Sequence, residues 1–103
     1  MREAEYQAQL IKKLKAMFRD CVILKNDANY LQGVPDLLIL FRDCWAMLEV
    51  KMDLVAPVQP NQEYYINLFD EMSFASFINP EIEEGVLNEL QHAFGLIRQT
   101  RFS

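Results

Sequence analysis

The sequence predicts an α/β fold in which a mixed central sheet of about four strands is flanked by helices. Apolar residues recur every three to four positions in three stretches, which is typical of amphipathic helices. Four shorter stretches are rich in apolar and aromatic residues and are bounded by turn-forming residues, as strands are. The elements follow one another in the order α-β-β-β-α-β-α. The chain of 103 residues fits one domain, residues 1–103.

The first half of the chain contains a helix and three strands. The helix is predicted over residues 3 to 18, with Tyr6, Leu10, Leu14 and Met17 on one stripe and Ile11 and Phe18 beside it. A strand is predicted at 21 to 25 and a loop at 26 to 33, where turn formers are frequent. Residues 37 to 41 and 45 to 52 are then expected to form a hairpin around a tight connection at 42 to 44.

The second half returns through a helix, a strand and a last helix. Residues 53 to 60 contain two prolines and are predicted to be a loop, after which Asn61 is a plausible helix N-cap. The apolar stripe of this helix consists of Tyr64, Tyr65, Leu68, Phe69 and Met72. A strand is predicted at 73 to 78. The last helix is expected to open at Asn79–Pro80–Glu81, to run to about Phe94 and to stop at Gly95.

Composition restricts the classes of function. The hydrophobic content of 51% indicates a folded protein, and no apolar run approaches the length of a membrane span. The start of the chain lacks the pattern of a signal peptide, and two cysteines make no disulfide framework, so a cytoplasmic location is expected. The net charge of −5 argues against a protein that only coats nucleic acid. It is compatible with an enzyme whose carboxylates bind a divalent cation.

Chemistry is concentrated in the predicted hairpin. Alternation puts Glu49 and Lys51 on one strand face together with large apolar residues, and Asp36 enters the partner strand 13 positions before Glu49. Two converging carboxylates repel each other unless a cation compensates, and oxygen ligands of this kind suit Mg²⁺ or Mn²⁺. Lys51 could then hold an attacking water or stabilise charge on a phosphate. The alternative is an ordinary strand whose Glu and Lys are exposed to solvent.

At these residues the chain resembles a known family. Pro35–Asp36 followed by Glu49–Val50–Lys51 is similar to the active-site signature of the PD-(D/E)xK nuclease superfamily. The local form Gly33-Val34-Pro35-Asp36-Leu37, with Glu-Val-Lys and a later Gln, resembles its VRR-NUC branch, which is common in small phage proteins. The resemblance covers nearly the whole chain. It implies a restriction-endonuclease-like core and, for a phage protein, the cytoplasm of a bacterial host.

The resemblance also implies roles for individual residues. Asp36 and Glu49 would bind Mg²⁺ or Mn²⁺, the carbonyl of Val50 would be a third ligand, and Lys51 would position or activate the water. A further metal-binding Glu often comes from the first helix of the family. Glu3 fits that position, although an acid favoured by the helix dipole is an equal alternative. No organic cofactor is implied.

Three further residues complete the expected site. Gln62 matches the glutamine of the helix that follows the catalytic strand, with a surface residue as the alternative. Lys25 and Asn26 lie where the incoming strand approaches the site and are candidates for a phosphate contact. The implied activity is a metal-dependent DNA endonuclease that selects branched structures such as Holliday junctions and acts as a homodimer. The alternative is a catalytically silent or accessory nuclease-like subunit that binds nucleic acid or serves in assembly.

Overall fold

The order of helices and strands agrees with the prediction. The structure is a computed structural model that describes residues 1–53, 55 and 57–96. Its elements are α1 (Glu3–Met17), β1 (Val22–Lys25), β2 (Leu37–Phe41), β3 (Cys44–Val50), α2 (Pro60–Met72), β4 (Phe74–Ile78) and α3 (Glu83–Ala93). None of the described helices combines the length and the apolar character that crossing a bilayer requires.

The four strands form one mixed sheet in the order β1-β2-β3-β4. The β1–β2 and β2–β3 pairs are antiparallel, and β4 lies parallel to β3 because α2 forms the crossover between them. A two-residue turn joins β2 to β3, and Arg42 in that turn has a φ of +56°. The short turn sets the register in which Leu37 faces Leu48 across the hairpin.

One face of the sheet carries the main core under α1 and α3. The stripe Tyr6, Leu10, Leu14 and Phe18 is buried against alternate residues of β2 and β3. Phe18 also meets Phe41 and Phe94, with ring centroids 5.1–5.5 Å apart among the three. Met17, which the sequence placed on the stripe, packs only against the edge of this cluster. This core fixes the strands whose ends carry the candidate site.

The other face, called here the α2 face, is only partly covered. Trp45 on β3 contacts Phe69 of α2 edge to face, with centroids 6.1 Å apart, and α2 packs on β3 and β4. Beyond the helix, Val22, Leu24 and Leu40 of β1 and β2 remain 51%, 46% and 39% exposed. The predicted stripe of α2 is therefore shifted. Ile66 is its buried residue, whereas Tyr64 and Met72 are exposed.

Several boundaries differ from the prediction. The helix α2 begins at Pro60 rather than after Asn61, because proline suits the first helical position, where no amide hydrogen is needed. The strand β3 includes Cys44 and ends at Val50, not Met52. The helix α3 begins only at Glu83, after a turn over 80–82. Positions 54 and 56 of the predicted loop, and positions 97 to 103 of the predicted domain, lie outside the described residues.

Candidate active site

The candidate site lies at one end of the α2 face, where three strands present polar residues in a row. Glu49 is the next inward-pointing position after Trp45 and Met47 on β3, and the β2–β3 register brings Asp36 opposite it. Asn26 continues the row beyond β1, because its backbone amide donates to the carbonyl of Asp36 at 2.9 Å. Apolar pairs fill the rest of this face, so the three polar residues are grouped at its end.

Asp36 and Glu49 are joined by hydrogen bonds through their side chains and backbones. The backbone amide of Asp36 donates to Glu49 Oε1 at 3.1 Å, and the backbone amide of Val50 donates to Asp36 Oδ2 at 2.9 Å. Glu49 is only 6% exposed, whereas Asp36 is half-buried. The two carboxyl groups are thus held side by side, with Asp36 on the solvent side.

Burial and mutual repulsion disfavour the charged forms of both acids. The pKa of Glu49 is raised from 4.5 to about 8. Burial is the largest cause of this rise, and the negative charge of Asp36 is the second. Burial also raises the pKa of Asp36, against the lowering effect of its hydrogen bonds with Val50 and Glu49. Near neutral pH the pair therefore retains a proton when no cation is bound. A bound cation would favour the ionised form of both acids, because its positive charge offsets their mutual repulsion.

Gln62 of α2 contacts Glu49 directly. Its Nε2 donates to Glu49 Oε2 at 3.0 Å, while its Oε1 accepts from the backbone amide of Gln59 at 3.2 Å. Gln62 and the buried Ile66 are four positions apart and lie on the same side of the helix. The side of α2 that packs on the sheet thus begins with an amide that orients Glu49.

Lys51 directly follows β3. Its backbone amide donates to the carbonyl of Ile78 at 2.9 Å, and its own carbonyl accepts from the side chain of Asn79 at 3.2 Å. Asn79 is 1% exposed, and its Oδ1 also accepts from the amides of Glu81 and Ile82. Asn79 therefore fixes the turn before α3 and the backbone of Lys51 together. The alternation of β3 ends at Val50, and among the described residues no hydrogen bond or ion pair joins the ammonium of Lys51 to Asp36 or Glu49.

The remaining predicted residues are less closely associated with the row. Glu3 is exposed in the first turn of α1, and its charge makes a small contribution to raising the pKa of Glu49. Lys25 is exposed and alternates to the face opposite Asn26. Asn26 reaches the row, but its Nδ2 donates to the carbonyl of Pro35 at 2.8 Å. Its amide nitrogen thus holds the turn that precedes Asp36.

The donor set fits a hard divalent cation held partly by water. Among the described residues, no group of three or more His, Cys, Asp and Glu is placed to hold a metal ion. Mg²⁺ is commonly bound through one or two carboxylates and otherwise by water and substrate oxygens. Asp36 and Glu49 are two carboxylates that fit this pattern, whereas the structure does not group Glu3 with them.

A close backbone contact attaches the loop before Asp36 to the start of α2. Gly33 has a φ of +90°, and a Cβ built on it would lie 2.4 Å from Cβ of Asn61 and 2.9 Å from its backbone carbon. Only glycine fits both the conformation and the space. The contact fixes the N-terminus of α2, and with it Gln62, relative to the strand that Asp36 enters.

Sequence reasoning missed three structural supports of the site. These are the side-chain bond of Asn26, the contact of Gly33 with Asn61, and the bond from Asn79 to Lys51. Two of them had a recognisable signal, because a glycine shortly before the Pro-Asp pair and an asparagine before a Pro-Glu pair both indicate special backbone geometry. The contact partners belong to distant parts of the chain and had no signal.

The molecule also has a cavity that is separate from the candidate site. It has a volume of about 690 Å³ and lies between α1 and α3. Glu83 at its wall pairs with Lys13 and accepts a hydrogen bond from the Tyr6 hydroxyl at 2.8 Å. These polar groups are thus already partnered across the helix interface.

The comparison with known proteins concerns the fold. No protein-family model matches the chain, and no curated protein matches it. The chain is similar to a solved structure described as a "VRR_NUC domain protein", with a TM-score of 0.64 and 19% sequence identity. The similarity covers 93% of this chain and 90% of that one. At this identity it shows a shared fold, which agrees with the fold that the sequence predicted.

Proposed function

We propose that this protein is a Mg²⁺- or Mn²⁺-dependent DNA endonuclease that hydrolyses phosphodiester bonds. The observation that carries the proposal is the pair of adjacent, partly buried carboxyl groups of Asp36 and Glu49, with Lys51 two residues further along the chain. A pair of acids whose burial disfavours both charges suits a cation better than it suits a stable core. The shared fold with a protein described as a VRR_NUC domain protein supports this direction.

Asp36 and Glu49 would hold the cation, which when bound would supply charge stabilisation at the phosphate. Gln62 would keep Glu49 Oε2 in place through its 3.0 Å hydrogen bond. The ammonium of Lys51 would orient a water for attack on phosphorus and stabilise the negative charge that develops there. The attack would form a phosphorus–oxygen bond and break the bond to the leaving oxygen; the attacking water would release a proton to solvent, and the leaving oxygen would take one from solvent. The carbonyl of Val50 would be a third ligand of the cation.

Branched DNA is the substrate class we propose, because the resemblance to PD-(D/E)xK nucleases implies it and the net charge of −5 provides little general attraction for a long duplex. A homodimer would present two sites to such a substrate. The exposed apolar residues Val22, Leu24 and Leu40 lie on the same sheet face as the site and support pairing with a second copy. In a twofold dimer, this patch of one copy would pack against the same patch of the other copy. Sedimentation of the wild type and of Leu24→Glu tests this arrangement. We expect the wild type to sediment as a dimer and Leu24→Glu as a monomer.

The test of the activity is cleavage of labelled linear duplex, single-stranded DNA and four-way junctions in Mg²⁺, Mn²⁺ or EDTA. Asp36→Asn and Lys51→Ala remove the two functional groups with little change of backbone. Lys12→Ala is the matched control, since Lys12 is an exposed lysine on α1. We expect cutting that depends on the metal, is lost in the two site variants and persists in the control.

The competing function is a silent or accessory subunit. The net charge of −5 favours it, because an acidic chain is repelled by DNA unless cations intervene. It predicts binding of Mn²⁺ by the wild type without cleavage of any of the three substrates. Equal cleavage by wild type and Asp36→Asn would instead reveal a contaminating nuclease and refute the proposed site.

A further inference from the structure

The loop between β1 and β2 presents an aromatic ring beside the candidate site. Its two ends meet at the site, because Asn26 bonds to the carbonyls of Pro35 and Asp36. At the tip, Tyr30 is 90% exposed. A tyrosine so fully in water makes few contacts with the rest of the chain, although its ring has two faces on which another flat group can stack.

The exposed ring stands on an ordered turn. The backbone amides of Tyr30 and Leu31 donate to the carbonyl of Asp27 at 3.1 and 3.2 Å, and Asn29 donates to its carboxylate at 2.8 Å. Val34 closes the loop by donating to the carbonyl of Leu31 at 3.1 Å. The backbone that carries the ring is therefore ordered, and a partner would stack on the ring without having to order the loop first.

Concave surfaces lie on both sides of this loop. One, of about 360 Å³, is lined by Asn26, Asp27, Tyr30, Leu31 and Val34. The other, of about 280 Å³, lies between the loop and the start of α2 and is lined by Ala28, Gln32, Gly33, Gln59, Asn61 and Gln62. The second groove adjoins the candidate site through Gln62, which lines the groove and donates a hydrogen bond to Glu49.

The chemistry of the two surfaces suits a nucleotide rather than a phosphate alone. Neither surface contains a lysine or an arginine, so a bound strand would gain little from phosphate contacts. An aromatic ring stacks on any base, and neutral amides donate to and accept from base and sugar edges. Bases in the interior of a duplex are already stacked on both faces, so an unpaired base is the one on which the ring can stack without disrupting the duplex.

We propose that Tyr30 stacks on an unpaired base of the substrate strand and that the amide-lined groove beside it leads that strand to the site. The inference rests on the proposed nuclease function and narrows its substrate to DNA with an unpaired nucleotide next to the scissile phosphate. A flap, a single strand and a junction with an unpaired nucleotide at its branch point contain such a nucleotide, whereas a continuous duplex does not.

The test measures binding of a fluorescent oligothymidylate in the Asp36→Asn background, which keeps the substrate intact. The variants added to it are Tyr30→Ala, Tyr30→Trp and Tyr64→Ala. Tyr64 is the matched control, since it is an exposed tyrosine on α2. We expect Tyr30→Ala to weaken binding about 5- to 100-fold, Tyr30→Trp to restore it, and Tyr64→Ala to have no effect.

Two further readouts separate stacking from charge and from catalysis. The emission of the introduced tryptophan should be quenched on binding, and the slope of binding against salt should be the same in Tyr30→Ala and its parent. Equal affinity of Tyr30→Ala and its parent, no binding by the parent, or a changed salt slope would each overturn the inference. Binding that depends on Tyr30, without cleavage by the wild type, would overturn only the nuclease function.

Discussion

The substitution Glu49→Gln isolates the free-energy cost of placing a second carboxylate beside Asp36. Glutamine keeps the size of the side chain and removes its charge. Glu49 is nearly fully buried, and burial together with Asp36 raises its pKa from 4.5 to about 8. Because the folded value lies above the unfolded one, the protonated acid is the form that folding favours.

The magnitude follows from that pKa. At about 1.36 kcal/mol per pKa unit, a change from 4.5 to about 8 corresponds to about 5 kcal/mol. This stability is fully present below about pH 4.5 and is lost as the pH rises through about 8. Glutamine cannot satisfy both Asp36 and Gln62 as the acid does, which costs about 1 kcal/mol for one hydrogen bond. At high pH and without metal, we therefore expect Glu49→Gln to be about 4 kcal/mol more stable than the wild type.

The assay is urea unfolding in EDTA between about pH 5 and pH 9, for the wild type, Glu49→Gln and Glu84→Gln. Glu84 is an exposed glutamate of α3 and serves as the control for loss of one charge. Adding Mg²⁺ at about 100 times its Kd should stabilise the wild type by about 2.7 kcal/mol and Glu49→Gln by less. A wild type whose stability does not fall with pH, or a variant that falls in parallel, would refute the reasoning.

Three other substitutions test the supports of the site. Gly33→Ala should lower the free energy of unfolding by about 3 kcal/mol, because the methyl group meets Asn61 and the φ is +90°; thermal unfolding measures this, and an unchanged midpoint would contradict it. Asn79→Ala should cost about 2 kcal/mol by leaving buried backbone groups of the Lys51 turn without partners, and hydrogen exchange of that turn should rise above the wild-type rate. Asn26→Ala should lower the free energy of unfolding by about 1 kcal/mol. It should reduce kcat and leave KM nearly unchanged, because its amide positions Asp36 indirectly. A changed KM at constant kcat would instead favour direct substrate binding by Asn26.

The apolar periodicities predicted the elements because they reflect local and repetitive constraints. The stripe of α1 and the alternation along β3 appear in the structure nearly as expected, and so does the order of all seven elements. The stripe of α2 was displaced because its spacing permits several faces, and only packing on β3 and β4 selects the one that contains Ile66. The start of α2 moved to Pro60 because a proline at the first helical position competes with an asparagine cap one residue later.

For the candidate site, the sequence by itself determined the pair Asp36 and Glu49. A hairpin with a short turn brings residues 13 positions apart together through strand pairing alone. The contacts that distant parts of the chain make around this pair depend on the tertiary structure. They include the hydrogen bond from Gln62 to Glu49 and the close contact of Gly33 with Asn61 of α2. Local alternation, by contrast, already places Lys25 on the face opposite to the row that Asn26 joins, because Lys25 pairs with the core residue Leu37. The physical reason is that local spacing fixes which residues share a strand face, whereas the packing of distant elements fixes what lies against that face.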